Sequence, residues 1–98
     1  MGDFTAALLA AIEQAQTECG IRQPRLQKSA ETYGGVSAAK EYMKHNRASD
    51  GFDALAKCGR LELSMEALVV SSAWHSNFTD DEVNFCFSLL CGENFDRF

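Results

Sequence analysis

Three apolar stripes in this chain each end at a Cys-Gly pair. The pairs are Cys19-Gly20, Cys58-Gly59 and Cys91-Gly92. A glycine directly after a periodic apolar segment is a common way for a helix to end, because glycine adopts the left-handed backbone conformation without a Cβ clash. The pattern predicts short helices with defined ends, and we expect each of these glycines to terminate one.

Other signals divide the rest of the chain into helical segments. Pro24 suits the first position of a second helix, and Gly34 separates that helix from a third. Ser64 is a candidate N-cap for a fifth helix. Thr79 and Glu82 have the spacing of a capping box, which predicts the start of a last helix over residues 80–91.

The length and apolar content of the chain suit one small domain. It has 98 residues, of which 46% are hydrophobic, enough for a single core. The alternating residues 61–63 resemble a strand, but no second strand is available to pair with them, so we interpret them as an extended link. We predict an all-α fold, a single compact domain of about six short helices over residues 1–98.

The charge of the chain is acidic overall and unevenly distributed. The net charge is −5, which argues against general binding to nucleic acids or anionic membranes. Residues 21–47 nevertheless carry a net +4, whereas residues 48–98 carry a net −6. The basic side chains that could form an anion or nucleic-acid patch are Arg22, Arg25, Lys28, Lys40, Lys44 and Arg47.

The sequence contains no motif that indicates catalysis, a metal or a cofactor. The four cysteines form no Cys-x-x-Cys pair, and His45 and His75 have no His-x-x-x-His or Glu-x-x-His partner. We therefore predict no enzyme activity, no metal and no cofactor. The three cysteines before glycines would lie at helix C-termini, where the dipole disfavours a thiolate, and we expect Cys86 in the core.

No stretch of the chain has the length and apolarity of a membrane span. The start, Met1 to Asp3, also lacks the basic and apolar regions of a secretion signal. We therefore expect a cytoplasmic protein with no membrane partner.

The last helix carries apolar residues on two sides. Val83, Cys86, Phe87 and Leu90 form one stripe at helical spacing, which we expect to face the core. Phe85 and Leu89 then point to the opposite side and predict an association surface. The alternative is a central helix whose two sides are both covered within one chain. The residues predicted to bind a partner or a second copy of the chain are Phe85, Leu89, Leu9, Phe95 and Phe98.

Arg60 lies beside acidic residues in the link before the fifth helix. We expect it to pair with Glu62 and Glu66 and to fix this link to the helix. The alternative interpretation is a binding site for an anionic group.

Five sequence blocks in the last two thirds of the chain follow one another in a distinctive order. They are Tyr33–Val36, Ser49–Phe52, Gly59–Ser64, Glu66–Val69 and Phe78–Glu82. This succession resembles a group of small uncharacterised bacterial helical proteins with no assigned activity. The resemblance implies a cytoplasmic bacterial protein encoded in mobile or accessory DNA.

Two functions follow from these observations. The favoured one is a small non-enzymatic interaction protein that acts as a homodimer or with a protein partner through the apolar surface of the last helix. The alternative is a nucleic-acid-binding regulator that uses the basic, helix-turn-helix-like segment 22–47.

Overall fold

The computed structural model describes residues 4–71 and 74–93. The described ranges contain six α-helices and no strand, which confirms the predicted all-α fold. The helices are α1 (Phe4–Cys19), α2 (Pro24–Tyr33), α3 (Gly35–Lys44), α4 (Phe52–Cys58), α5 (Met65–Val70) and α6 (Asp80–Gly92). Two 3₁₀ turns, Leu61–Leu63 and His75–Asn77, precede α5 and α6.

The longest helix, α1, is the element against which most of the others pack. It contacts α2, α3, α4 and α5, while α2 pairs with α3 and α5 pairs with α6. The buried side chains of α1 recur at spacings of three and four, as the apolar stripe requires. They are Phe4, Leu8, Ala11, Ile12 and Ala15.

The interior consists of two hydrophobic clusters. The larger one, around Phe4 and Leu8, takes side chains from α1, α2, α3, α5 and α6. There the Phe4 ring meets Trp74 and Phe78 edge-on, with centroids 6.1 and 5.1 Å apart. The smaller cluster joins the later part of α1 to α4, the first 3₁₀ turn and α6. Its buried members are Ala15, Phe52, Leu55, Leu61, Leu63 and Leu90.

The backbones of α1 and α3 approach closely at Gly35. The Gly35 amide donates a hydrogen bond to Thr5 Oγ1 at 2.7 Å. A Cβ atom at this position would lie 2.8 Å from Thr5 Cα, closer than non-bonded carbon atoms pack. Glycine therefore permits α3 to start directly against the first turn of α1.

Two of the three predicted glycine stops are confirmed. Gly20 and Gly59 follow α1 and α4 with φ of +68° and +76°, in the left-handed region. The prediction for Gly92 was wrong, since Gly92 is the last residue of α6 and Glu93 follows it as the C-cap.

The predicted N-terminal signals are confirmed. Pro24 is the first residue of α2, and Ser64 Oγ accepts a hydrogen bond from the Ala67 amide at 3.1 Å. Thr79 and Glu82 exchange both hydrogen bonds of a capping box at the start of α6.

The extended link predicted over residues 61–63 was wrong. This segment forms a 3₁₀ turn that places Leu61 and Leu63 in the smaller cluster. The turn lets two leucines separated by one residue enter the same cluster, a geometry that period-two alternation does not predict.

We expect Gly59→Ala to lower the free energy of unfolding by about 1–2 kcal/mol, because alanine at positive φ carries a Cβ penalty. A Cβ at Gly59 meets nothing within 4 Å, so the loss measures backbone strain alone. Gly92→Ala is the matched control, because its Cβ also meets nothing within 4 Å and its backbone is helical. Urea denaturation should show the loss for the first variant only, and equal midpoints for the two variants would contradict the assigned end of α4.

Candidate functional site: the groove between α2 and α3

A continuous groove runs between α2 and α3, and we call it the α2–α3 groove. One part, of about 500 Å³, is lined by Ser29, Tyr33, Ser37, Ala38 and Glu41. The other part, of about 280 Å³, is lined by Arg25, Ser29, Glu41, Tyr42, His45 and Arg47. Because Ser29 and Glu41 line both parts, the two form one surface with a tyrosine end and an arginine end.

Tyr33 forms the tyrosine end. Its side chain is 74% exposed, the highest value among the large hydrophobic residues of the described chain. Tyr33 is the last residue of α2, and the chain turns at Gly34 with φ of +93° into α3. No further turn of α2 covers the ring, so an aromatic face remains open to solvent beside the groove.

The walls of the arginine end are held together by the carboxylate of Asp50. Asp50 Oδ2 accepts hydrogen bonds from the amides of Arg25 and Leu26 at 2.9 and 3.1 Å. Asp50 Oδ1 accepts a hydrogen bond from the Tyr42 hydroxyl at 2.5 Å. One carboxylate therefore caps the N-terminus of α2, where negative charge is favourable, and ties it to α3.

The local sequence explains why this cap comes from a distant residue. Gln23 occupies the N-cap position of α2 but makes no capping hydrogen bond, and its side chain is buried, with 1% exposure. Asp50 takes over the role from the segment before α4. Burial and the hydrogen bond to Asp50 raise the pKa of Tyr42, which keeps its hydroxyl protonated as the donor.

The arginine end places two guanidinium side chains beside the carboxylates of Glu41 and Asp50. Arg25 and Arg47 line the same part of the groove, and neither side chain forms an ion pair within residues 4–71 and 74–93. His45, in contrast, lies beside an acidic group: its Nε2 is 3.1 Å from Glu41 Oε1. Two guanidinium groups can therefore receive a carboxylate or a phosphate from another molecule.

The structure brings together only part of the predicted basic patch. Of its six residues, Arg25 and Arg47 line the same part of the groove. Lys40 instead forms an ion pair with Glu82 of α6, 2.8 Å between Nζ and Oε1, and lies 5.4 Å from the centroid of the Phe78 ring. The remaining three, Arg22, Lys28 and Lys44, are exposed and do not line the described parts of the groove.

The predicted faces of α6 need a correction. Cys86 and Leu90 are buried as expected, but Phe87 is 45% exposed. Phe85 and Leu89 are half-buried and pack against the larger and the smaller cluster. The buried face is therefore rotated toward Phe85 and Leu89 and away from Phe87, because α6 packs between two clusters rather than on one.

The other residues of the predicted association surface are only partly accounted for. Leu9 is half-buried against the larger cluster and lines a separate depression of about 410 Å³ between α1 and α2. Phe95 and Phe98 lie outside the described residues. An association surface on α6 stays a prediction.

Arg60 and Glu66, expected to pair, lie in different environments. Arg60 forms ion pairs with Glu18 of α1 and with Glu62, the latter at 2.6 Å. The hydrogen bond from Arg60 lowers the pKa of Glu18. Glu66 is fully buried and accepts hydrogen bonds from the amide and hydroxyl of Ser49 at 2.6 and 2.8 Å.

The cysteines divide into one buried residue and three at helix ends. Cys86 is buried, and burial raises the pKa of its thiol. The other three lie in the last turns of α1, α4 and α6, as predicted; Cys58 and Cys91 are exposed and Cys19 is half-buried. In the part of the chain that the structure describes, no group of three or more His, Cys, Asp or Glu side chains could hold a metal ion.

No helix within the described ranges is both long enough and apolar enough to cross a membrane. Comparisons with protein-family models, curated proteins and solved structures give no match. The resemblance drawn from the five sequence blocks stays a prediction.

We expect Asp50→Ala to lower the free energy of unfolding by roughly 0.5–2 kcal/mol, because it removes the cap of α2. It should also lower the pKa of Tyr42, which ultraviolet titration of the phenol measures directly. Asp53→Ala, an exposed change of the same charge, is the control. An unchanged Tyr42 titration in Asp50→Ala would contradict the hydrogen bond to Asp50.

Glu66 should make stability depend on pH. Burial raises its pKa above the ordinary 4.5, against the opposing effect of the Ser49 hydrogen bonds, so the folded chain holds this proton more tightly than the unfolded chain. The stability that the proton contributes is present below about pH 4.5 and is lost as pH rises through the folded-state pKa. Glu66→Gln, neutral at every pH, should flatten this decline in urea denaturation series, whereas the exposed Glu13→Gln should leave it unchanged. A decline as steep in Glu66→Gln as in the wild type would contradict the assignment.

Proposed function

We propose that this protein is a non-enzymatic interaction protein that acts as a dimer. In the dimer, the arginine end of the α2–α3 groove in one copy receives the acidic start of α6 from the other. The observation that carries the proposal is that Arg25 and Arg47 line the same end of an open groove and form no ion pair in the described chain.

The start of α6 offers the complementary charge. Asp80 and Asp81 are exposed in its first turn and form no ion pair within the described ranges. The third acid of this turn, Glu82, already binds Lys40. Asp80 and Asp81 are therefore the acidic side chains at this site that remain available to a second molecule.

The two charged sites lie on either side of α3. Lys40 reaches α6 through Glu82, whereas Ser37 and Glu41 line the groove beside α2. The exposed side of α3, which includes Lys44, lies between the two sites. A surface that carries both charges side by side suits a two-fold contact, in which each site meets its complement on the partner.

The α2–α3 groove is a better candidate for the binding surface than the two predicted from the sequence, the apolar side of α6 and the basic segment 22–47. On α6, Phe85 and Leu89 already contribute part of their surfaces to the core. For nucleic acid, only two of the six predicted basic residues, Arg25 and Arg47, line the groove, fewer than a surface that contacts several phosphates needs. As parts of the same proposal, we place the protein in the bacterial cytoplasm and its gene in the accessory genome.

Sedimentation of the wild type over a range of concentrations, at low salt and at 0.5 M salt, tests the dimer. We expect a dimer that weakens with salt, and monomers for Arg25→Glu with Arg47→Glu and for Asp80→Lys with Asp81→Lys. A mixture of the two double variants should restore a heterodimer, because their charges are again complementary. Arg22→Glu with Lys28→Glu is the control, with the same charge change outside the groove.

The outcomes separate the competing functions. A monomer at every concentration and salt, or a dimer indifferent to both charge reversals, contradicts the proposal. Retention of the wild type on DNA that fades with salt, and is lost in the Arg25 and Arg47 variant, would favour the nucleic-acid regulator instead.

A further inference from the structure

Two of the three cysteines at helix ends contact each other. Cys19 is the last residue of α1 and Cys58 is the last residue of α4, and their Sγ atoms are 2.7 Å apart. The two residues are separated by 39 positions in the sequence, so the contact is a product of the tertiary fold.

Separate contacts hold these two helix ends together. Glu18, which precedes Cys19, forms an ion pair with Arg60, two residues after Cys58. One helical turn before each cysteine, Ala15 and Leu55 are both buried in the smaller hydrophobic cluster. The sulfur atoms are thus brought together by packing on one side and by an ion pair on the other.

We propose that Cys19 and Cys58 are a site of covalent modification, at which a small-molecule disulfide such as oxidised glutathione converts the two thiols into one reversible intramolecular disulfide. The bond would bring the sulfur atoms from 2.7 Å to about 2.05 Å. The helix ends already hold the sulfurs near this position, so the change asks for little movement of the chain. The proposal is independent of the dimer.

The exposure of the two thiols sets the order of the steps. Cys58 is exposed and Cys19 is half-buried, so the Cys58 thiolate attacks oxidised glutathione first. An S–S bond forms between Cys58 and one glutathione, and the other glutathione leaves as the thiolate. Cys19 then loses its proton to solvent and attacks Cys58 Sγ, which releases the second glutathione. Two protein thiols are oxidised and one glutathione disulfide is reduced to two thiols.

The surroundings of the pair make the reaction depend strongly on pH. The hydrogen bond with Cys58 and partial burial raise the pKa of Cys19. Because the thiolate is the attacking form, disulfide formation should accelerate as pH rises above neutrality. This pair should therefore behave as a slow thiol pair, unlike the activated cysteine of an oxidoreductase.

The disulfide would join the two ends of the segment that contains α2 and α3, and so close that segment into a loop. Residues 20–57 lie between the two cysteines and include both helices of the groove. Closing a loop of this length restricts the unfolded chain more than the folded one. Oxidation should therefore raise the thermal midpoint without changing the helical content.

The test is to incubate the native wild-type protein with oxidised glutathione and to count free thiols after denaturation, with peptide mass mapping. We expect mass mapping to assign the loss of two thiols to Cys19 and Cys58, joined in one linked peptide, and a monomeric chain on a non-reducing gel. The thermal midpoint should rise on the order of 10 °C and return on reduction.

Single variants check the order of attack. Cys19→Ser should retain a stable glutathione adduct on Cys58, whereas Cys91→Ser, the control at another exposed helix end, should form the disulfide as the wild type does. Circular dichroism of each variant establishes that it is folded. A persistent glutathione adduct on Cys58 of the wild type, a linkage to Cys91 or between chains, or four free thiols at the end of the incubation would overturn the proposal.

Discussion

The carboxylate of Asp50 is the interaction on which the α2–α3 groove depends. It accepts two amides at the start of α2 and the hydroxyl of Tyr42 on α3, so it fixes both helices at the arginine end. These are charge-assisted hydrogen bonds from three donors to one group, stronger than neutral pairs. The segment before α4 thereby fixes both walls of the groove and also supplies two of its lining residues, His45 and Arg47.

The same segment also holds the interior in place. Ser49, next to Asp50, donates its amide and its hydroxyl to the buried carboxyl of Glu66 on α5. Two adjacent residues between α3 and α4 therefore bind α2 and α3 on the outside and α5 on the inside. A buried carboxyl with hydrogen bonds to each of its oxygens is specific for one arrangement, because no neighbouring register supplies both donors.

Local features of the sequence were sufficient to predict the helices. Glycines at positive φ, a proline at a first helical position and a capping box act within a few residues, so Gly20, Gly59 and Pro24 could be assigned without knowledge of the fold. Gly92 shows the limit of this reasoning. A glycine is also tolerated in the last helical turn, and only the neighbouring chain decides whether the helix stops before or after it.

The candidate site was less accessible to sequence reasoning because tertiary contacts form it. The basic character of residues 22–47 was evident, but the pairing of Lys40 with Glu82 spans 42 positions and could not be anticipated. The rotation of α6 has a similar origin. Its apolar residues cover more than half of the helix circumference, so periodicity did not distinguish the buried flank, with Phe85 and Leu89, from the exposed Phe87.

The close approach at Gly35 limits how the chain can diverge. A side chain at this position would collide with the backbone of Thr5, and neither the Thr5 backbone nor the Gly35 backbone can rotate aside as a side chain would. A related chain with a larger residue here would have to move α3 away from α1, which opens the larger cluster at Phe4. A substitution at Gly35 would therefore change the position of a whole helix, whereas substitutions among the exposed charged residues of the groove would not.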